Sequence, residues 1–147
     1  MCLQFPSTQY DSPAFRWIEL PRIVDARDGV ISVAEARRHV PFDIRRIYFI
    51  YQLQYQNALR GQHAHRELEQ ALFCINGRVK INLDDGQQRF SVLLDRPERG
   101  IYLGRGLWHE MCDFQDNCIL LVLASDYFKE DDYIRDYDEF LHLFGAM

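Results

Sequence analysis

Two histidines one residue apart, His63 and His65, stand in the run Arg60-Gly61-Gln62-His63-Ala64-His65-Arg66-Glu67-Leu68-Glu69-Gln70. Side chains alternate along an extended strand, so the two imidazoles share a face, and an unbulged strand adds Glu69 to it. Imidazoles titrate near neutral pH, which suits them to taking and giving protons. A third, His109, follows in Gly104-Arg105-Gly106-Leu107-Trp108-His109. Three His and one Glu converging on one cavity would also suit a divalent transition metal.

The elements that must hold these residues read as short strands. Residues 17–24 form a strand interrupted at Pro21, Asp28-Gly29 a turn, and 30–33 and 46–53 two further strands. Residues 34–39 contain helix formers but stop at Pro41. An apolar stretch at 72–75 runs into Asn76-Gly77, the pair expected in a two-residue hairpin. Val79, Ile81 and Leu83 then alternate with polar residues up to the turn Asp84-Asp85-Gly86, and Phe90, Val92 and Leu94 repeat the pattern. Strands at 101–103 and 119–124 complete an all-β sandwich or barrel. In 132–144, Ile134, Tyr137, Leu141 and Phe144 recur at helical intervals, so a C-terminal helix packed on the barrel is expected. Residues 1–15 lack periodicity and read as an N-terminal arm, leaving 16–147 as one domain.

The 147 residues, 48% apolar and including ten Phe and eight Tyr, suffice for one substantial core. The net charge of −5 argues against nucleic acid as the main partner. The longest apolar run, 119–124, is too short to span a membrane, and no basic-then-apolar leader opens the chain. Cys2, Cys74, Cys112 and Cys118 form no Cys-x-x-Cys pair, so reduced, mostly buried thiols in a cytoplasmic protein are expected. All basic residues but Lys80 and Lys129 are Arg, whose planar fork matches phosphate oxygens.

The His-x-His-x-x-x-Glu and Gly-x-x-His patterns resemble the two cupin motifs, whose strands line the inside of a double-stranded β-helix, or jelly-roll barrel. Gly104 stands where Pro is common in the second motif and Asp113 where Asn is common. Four longer blocks resemble the nucleotide-sugar 3,4-ketoisomerase family. They are Arg46-Ile47-Tyr48, residues 60–70, residues 102–111 with Trp108-His109-Glu110-Met111, and residues 122–141. The last contains Leu123-Ala124-Ser125-Asp126-Tyr127 and Asp132-Tyr133-Ile134-Arg135-Asp136-Tyr137. The likeness runs from about residue 23 to 141. The family's early Asp-x-Arg-Gly turn appears here as Asp25-Ala26-Arg27-Asp28-Gly29, with one extra residue.

This resemblance implies a cupin fold, a homodimer, and activity without metal or other cofactor on a thymidine-diphosphate-linked 4-keto-6-deoxyglucose. The product would feed an aminosugar for an O-antigen or S-layer glycan. It also implies the site. Removing the C3 hydrogen beside the C4 ketone gives an enediolate, and a proton delivered to C4 leaves the ketone at C3. His63 is the expected base, and His65 its relay partner or the group that moves the hydroxyl proton. Tyr48 is the expected donor to the enediolate oxygen, with an Arg such as Arg60 adding positive charge. Arg46, Arg60 and, behind them, Arg27 would bind the diphosphate. Trp108 would offer a flat face to the sugar or base beside His109, and Trp108-His109 with an early Arg leans towards the galacto product. The arm, through Leu3, Phe5 and Phe15, would cross to the partner subunit.

Three other functions share some of these features. A nucleotide-sugar 3,5-epimerase uses similar carbanion chemistry in a similar barrel and would exchange solvent deuterium at C5. A metal-dependent cupin would lose activity on chelation. A sugar-binding module would bind without turnover, which the pairing of His63 with His65 argues against.

Overall fold

The computed structural model describes residues 2, 3, 5, 12–53 and 57–145. Among them, ten strands and one α-helix follow in order: β1 (Phe15–Glu19), β2 (Arg22–Val24), β3 (Val30–Ser32), β4 (Arg46–Ile50), β5 (Arg60–His65), β6 (Gln70–Asp84), β7 (Arg89–Leu94), β8 (Arg99–Leu103), β9 (Trp108–Ala124), β10 (Tyr133–Ile134) and α1 (Tyr137–Phe144). Eight strands make one curled antiparallel sheet, while β2 and β3 pair separately as a two-stranded ribbon. The long strands β6 and β9 are its spine. Their distal halves pair Gln70 with Ala124 and Leu72 with Val122, and their other halves pair Leu83 with His109 and Asp84 with Trp108.

Asn76-Gly77 is not a hairpin. It lies inside the 15-residue β6, where the register against β9 shifts between Cys74 and Asn76 and again between Asn76 and Arg78. Gly77 takes φ +72°, and a Cβ there would collide with the backbone oxygen of Gln115. A glycine-bearing bulge uses the same positive φ that a hairpin does, but it bends a strand instead of reversing it. The bend carries β6 and β9 around the barrel. The reversal comes at Asp84-Asp85-Gly86, between β6 and β7, as expected.

The inward face is apolar at one end of the barrel. Phe15, Leu72, Cys74, Val79, Ile81, Phe90, Ile101, Met111, Leu120 and Val122 pack there, with Ile50 against them. Burying each large side chain contributes about 1.5–3 kcal/mol. A second layer, including Ile18, Val40, Phe42, Phe73 and Tyr102, covers an outer face of the sheet. Residues 34–39, the short stretch of helix formers, contribute only turns and an isolated bridge from Ala36 to Val40.

The C-terminal helix is shorter than its apolar spacing predicts. Ile134 belongs to β10, and α1 begins after Asp136, whose carboxylate accepts from the backbone N–H groups of Asp138 and Glu139. Its buried residue is Phe140, which packs with Trp108, Ile134 and Ala64, whereas Leu141 faces solvent. The N-terminal residues also differ from expectation. Phe15 starts β1 and lies in its own barrel, and the Leu3 carbonyl accepts from Lys80 and Asn82 of the same chain. Residues 1, 4 and 6–11 of the arm lie outside the described residues. Cys2 and Cys112 are joined as a disulfide, which corrects the expectation of four reduced thiols. Cys74 and Cys118 remain buried thiols on neighbouring strands, with their Sγ atoms 3.5 Å apart.

Candidate active site

The other end of the barrel is polar inside, and the strand register explains why. His63 of β5 lies opposite His109 of β9. On the far half of β9, Ala124 is flanked by Arg46 of β4 and Gln70 of β6. Alternation along β4 then turns Tyr48 inward with Arg46, leaving Ile47 and Phe49 exposed. The register of β5 against β9 shifts between Gly61 and His63, where Gly61 and Gln62 take φ of +84° and +58°. That bulge re-aims the strand so that His63 and His65 both face the interior. Gly61 has a specific need to be glycine, because a Cβ would come 2.9 Å from the His109 carbonyl oxygen.

The three imidazoles form one cluster. Ring centres are 4.9 Å apart for His63 and His65, 4.5 Å for His63 and His109, and 5.9 Å for His65 and His109. Tyr133 closes it, 4.9 Å from the His63 ring and 4.5 Å from that of His65. Each imidazole is anchored through Nδ1: His63 to the Gly61 carbonyl at 3.0 Å, His109 to the Leu107 carbonyl at 3.2 Å, and His65 to the Asp132 carboxylate at 2.9 Å. A carbonyl or carboxylate accepts, so Nδ1 carries the proton and the Nε2 lone pair is left for chemistry.

Burial is the leading influence on all three. It lowers the His63 pKa, with the Gly61 carbonyl opposing, and lowers that of fully buried His109 well below the usual value. His65 is lowered to about 4 by burial and then by His63, against the opposing pull of Asp132. The imidazoles are therefore neutral at pH 7 and able to accept a proton. Tyr48 is shifted the other way, upward, mainly because it is buried, so its phenol stays protonated.

Arg46 lies over the Tyr48 ring, 5.4 Å from its centre, and 5.9 Å from that of Phe128. It also borders a cavity of about 250 Å³ that Arg37, Arg45, Lys129, Asp132 and Tyr133 help to line. Arg60 is exposed at the start of β5, close enough to Tyr48 to favour its ionised form. Arg46 Nε, His65 Nε2 and Gln70 Oε1 are buried without hydrogen-bond partners among the described residues. Buried polar atoms ordinarily find partners, so this trio marks a place where a polar ligand fits.

His63, His65, His109, Tyr48, Arg46 and Arg60 thus meet at one end of the barrel. Glu69, Trp108 and Arg27 are placed elsewhere. Glu69 lies beyond the end of β5, and its carboxylate accepts from the Tyr102 hydroxyl at 2.6 Å instead of joining the imidazoles. Trp108, next to inward-facing His109, points outward beneath α1, packs on Tyr137 and Phe140, and is 6% exposed. It presents no face to a ligand among the imidazoles. Arg27 sits exposed in the turn of the β2–β3 ribbon, away from the cluster. Asp132, Tyr133 and Gln70 were not singled out from the sequence, although all three fall within blocks of resemblance.

The residues fit a three-His, one-Glu metal centre poorly. One ring nitrogen from each His lies within 4.8 Å of the others, but Glu69 is turned away and Asp132 is engaged with His65.

Known proteins are similar to this chain in sequence and fold. The family model FdtA, described as WxcM-like, C-terminal, matches residues 13–145. A TDP-4-oxo-6-deoxy-alpha-D-glucose-3,4-oxoisomerase from Aneurinibacillus thermoaerophilus is 44% identical over 123 residues, 84% of this chain and 87% of that protein. A His-to-Asn variant of the 3,4-ketoisomerase QdtA from Thermoanaerobacterium thermosaccharolyticum, crystallised with TDP-4-keto-6-deoxyglucose, superposes with TM-score 0.86. It is 38% identical over 90% of this chain and 95% of that one. The TDP-quinovose 3,4-ketoisomerase WlaRB from Campylobacter jejuni gives TM-score 0.84 and 40% identity over 89% of this chain and 99% of that one. The RmlC epimerase of Mycobacterium tuberculosis shares the fold, at 23% identity and TM-score 0.70. With the 3,4-ketoisomerases so much nearer than the epimerase, the chain belongs to the FdtA family.

Proposed function

We propose that this protein is a 3,4-ketoisomerase that moves the ketone of a TDP-linked 4-keto-6-deoxyhexose from C4 to C3, without a metal. The observation that carries the reading is the His65–Asp132 pair inside a cluster of three neutral imidazoles. A base needs a free lone pair, a fixed tautomer and a neutral resting state. His65 has all three, and its Nε2 is a buried atom without a partner among the described residues. We therefore assign proton removal from C3 to His65, with Asp132 orienting it, and give His63 the transfer to C4 or from the C3 hydroxyl. This reverses the roles expected from the sequence.

As the C3–H bond breaks, its electron pair forms a C3=C4 double bond and negative charge moves to the C4 oxygen. Tyr48 donates to that oxygen, and Arg60 adds positive charge near it. The C3 hydroxyl proton then leaves, C4 takes up a proton, and the C4 oxygen becomes a hydroxyl. Arg46 and Arg60 bind the diphosphate, as pairing between guanidinium and phosphate favours. The likeness of Trp108-His109 to enzymes of the galacto type makes the galacto product the one we favour.

A homodimer completes the reading. Ile23, Val24, Val30 and Ile31 of the β2–β3 ribbon and Ile47 and Phe49 of β4 are all about half exposed or more. Ile23 and Ile31 point to one side of the ribbon and Val24 and Val30 to the other, and exposed apolar side chains in this number suit contact with a second copy. Sedimentation at micromolar concentration tests this, and a monomer would count against it. No helix among the described residues is long and apolar enough to cross a membrane, and a nucleotide-linked substrate supports a cytoplasmic location.

The decisive experiment is incubation with TDP-4-keto-6-deoxyglucose and a 3-aminotransferase, followed by NMR of the amino sugar. A 3-amino sugar supports the assignment and its C4 configuration identifies the product. An unchanged 4-keto sugar, or deuterium exchange only at C5, refutes it.

A further inference from the structure

Gln70 is the first residue of β6, where alternation would place another apolar side chain above Leu72 and Cys74 on the barrel interior. It is 1% exposed. Its Nε2 donates to the Tyr48 hydroxyl at 2.9 Å, across the β9 strand that separates β4 from β6. Its Oε1 has no partner among the described residues. A buried amide with half of its hydrogen-bonding capacity unmet is an unfavourable choice for packing alone. A Leu would continue the interior row at lower cost.

A phenol hydroxyl holds one proton and accepts through its lone pairs. With the Gln70 amide filling an acceptor position on Tyr48, the phenolic proton is left for a third group. Arg46, stacked over the Tyr48 ring, can only donate, so it cannot take that proton. We propose that Gln70 is a positioning residue that orients the Tyr48 hydroxyl as a donor to the substrate oxygen on which negative charge develops. The proposal rests on the donor role given to Tyr48 above.

A mutant cycle tests this in the intact protein, with TDP-4-keto-6-deoxyglucose as substrate. Removing a donor to a developing oxyanion typically costs on the order of 100-fold in turnover, and Tyr48→Phe should show such a loss in kcat. Gln70→Leu should lower kcat by about tenfold, the size of one lost neutral hydrogen bond, with KM changed by less than about twofold. The double variant should be no slower than Tyr48→Phe alone, because Gln70 acts only through that hydroxyl. Gln70→Glu, nearly isosteric but able only to accept when ionised, should draw the Tyr48 proton to itself and lose kcat as Gln70→Leu does. Thermal melting of each variant identifies any that fails to fold, and the glutamate variant then replaces the leucine variant in the cycle. Multiplying losses in the double variant, or wild-type kcat in a folded Gln70 variant, overturns the positioning role. Wild-type kcat in Tyr48→Phe overturns the donor role and this proposal with it. Failure of the wild-type protein to move the ketone is a separate result and refutes the function itself.

Discussion

The carboxylate of Asp132 lies 2.9 Å from Nδ1 of His65, joining residues 67 positions apart in sequence. The same carboxylate accepts from the backbone N–H groups of Glu67 and Leu68, at 2.8 and 3.3 Å. It is thereby fixed on the chain just beyond the histidine it orients. Backbone donors hold the carboxylate, the carboxylate holds the imidazole, and Nε2 is left for substrate. Asp132→Asn should keep the shape while permitting the wrong tautomer of His65. Turnover should fall by at least ~10²-fold, the lower end of what general-base catalysis contributes, with KM little changed. Steady-state kinetics check this, and a loss confined to KM would show that Asp132 serves binding instead.

The two histidines separate by isotope exchange. An Asn in place of either cannot accept a proton near neutral pH. His65→Asn should stop exchange of the C3 hydrogen with deuterated solvent together with product formation, at a cost of ~10²–10⁴-fold in turnover. His63→Asn should slow product formation while exchange at C3 continues. NMR in deuterated water reads both. If exchange survives in His65→Asn and is lost in His63→Asn, the bases have been assigned the wrong way round.

The pairing of His63 with His65 is legible in the sequence, and the misplacement of other residues has physical causes. His63 and His65 on one face followed from strand period, and His109 from its place in a second motif. Glu69 was misplaced because a period-two argument assumes an unbroken strand, and β5 is bulged near Gly61 and ends at His65. Asn76-Gly77 was misread for a related reason: the left-handed glycine that reverses a chain can also bend one. Trp108 was put in the site by type, although its neighbour His109 faces inward and alternation sends it outward. Asp132 lies in a block of resemblance, but its type and position give it no role there, since a capping or surface Asp near a helix reads the same way. Only the tertiary pairing of β10 with β5, Tyr133 opposite His65, brings it to the imidazole.

The two arginines make a prediction about binding. Arg46 lies half-buried over Tyr48 and Phe128, and Arg60 is exposed at the mouth. Losing a charge-assisted bond to the diphosphate costs roughly 1.5–3 kcal/mol. Arg60→Ala or Arg46→Ala should therefore raise KM for the nucleotide sugar by about tenfold or more. Arg27→Ala, remote from the cluster in one chain, should change KM far less unless a partner subunit brings the ribbon close. Unchanged KM in both the Arg46 and Arg60 variants would mean that the diphosphate lies elsewhere.

The imidazole cluster also ties stability to pH. Burial is the first cause of the lowered pKa of His63, His65 and His109, and His65 is brought to about 4. In the unfolded chain each would take up a proton near pH ~6.5. Between the two values the unfolded chain binds more protons than the folded one, so stability rises with pH across that interval. The contribution is complete above about pH 6.5 and is lost as pH falls towards the folded values. Melting temperature should accordingly drop between pH 7 and pH 5, and His109→Asn, which removes the most deeply buried imidazole, should flatten the drop. Over the same range kcat/KM should keep its plateau, because a base with a lowered pKa stays neutral in the folded enzyme. A melting temperature that is flat from pH 7 to 5, or an activity that halves near pH 6.5, would show that the imidazoles titrate as exposed ones do.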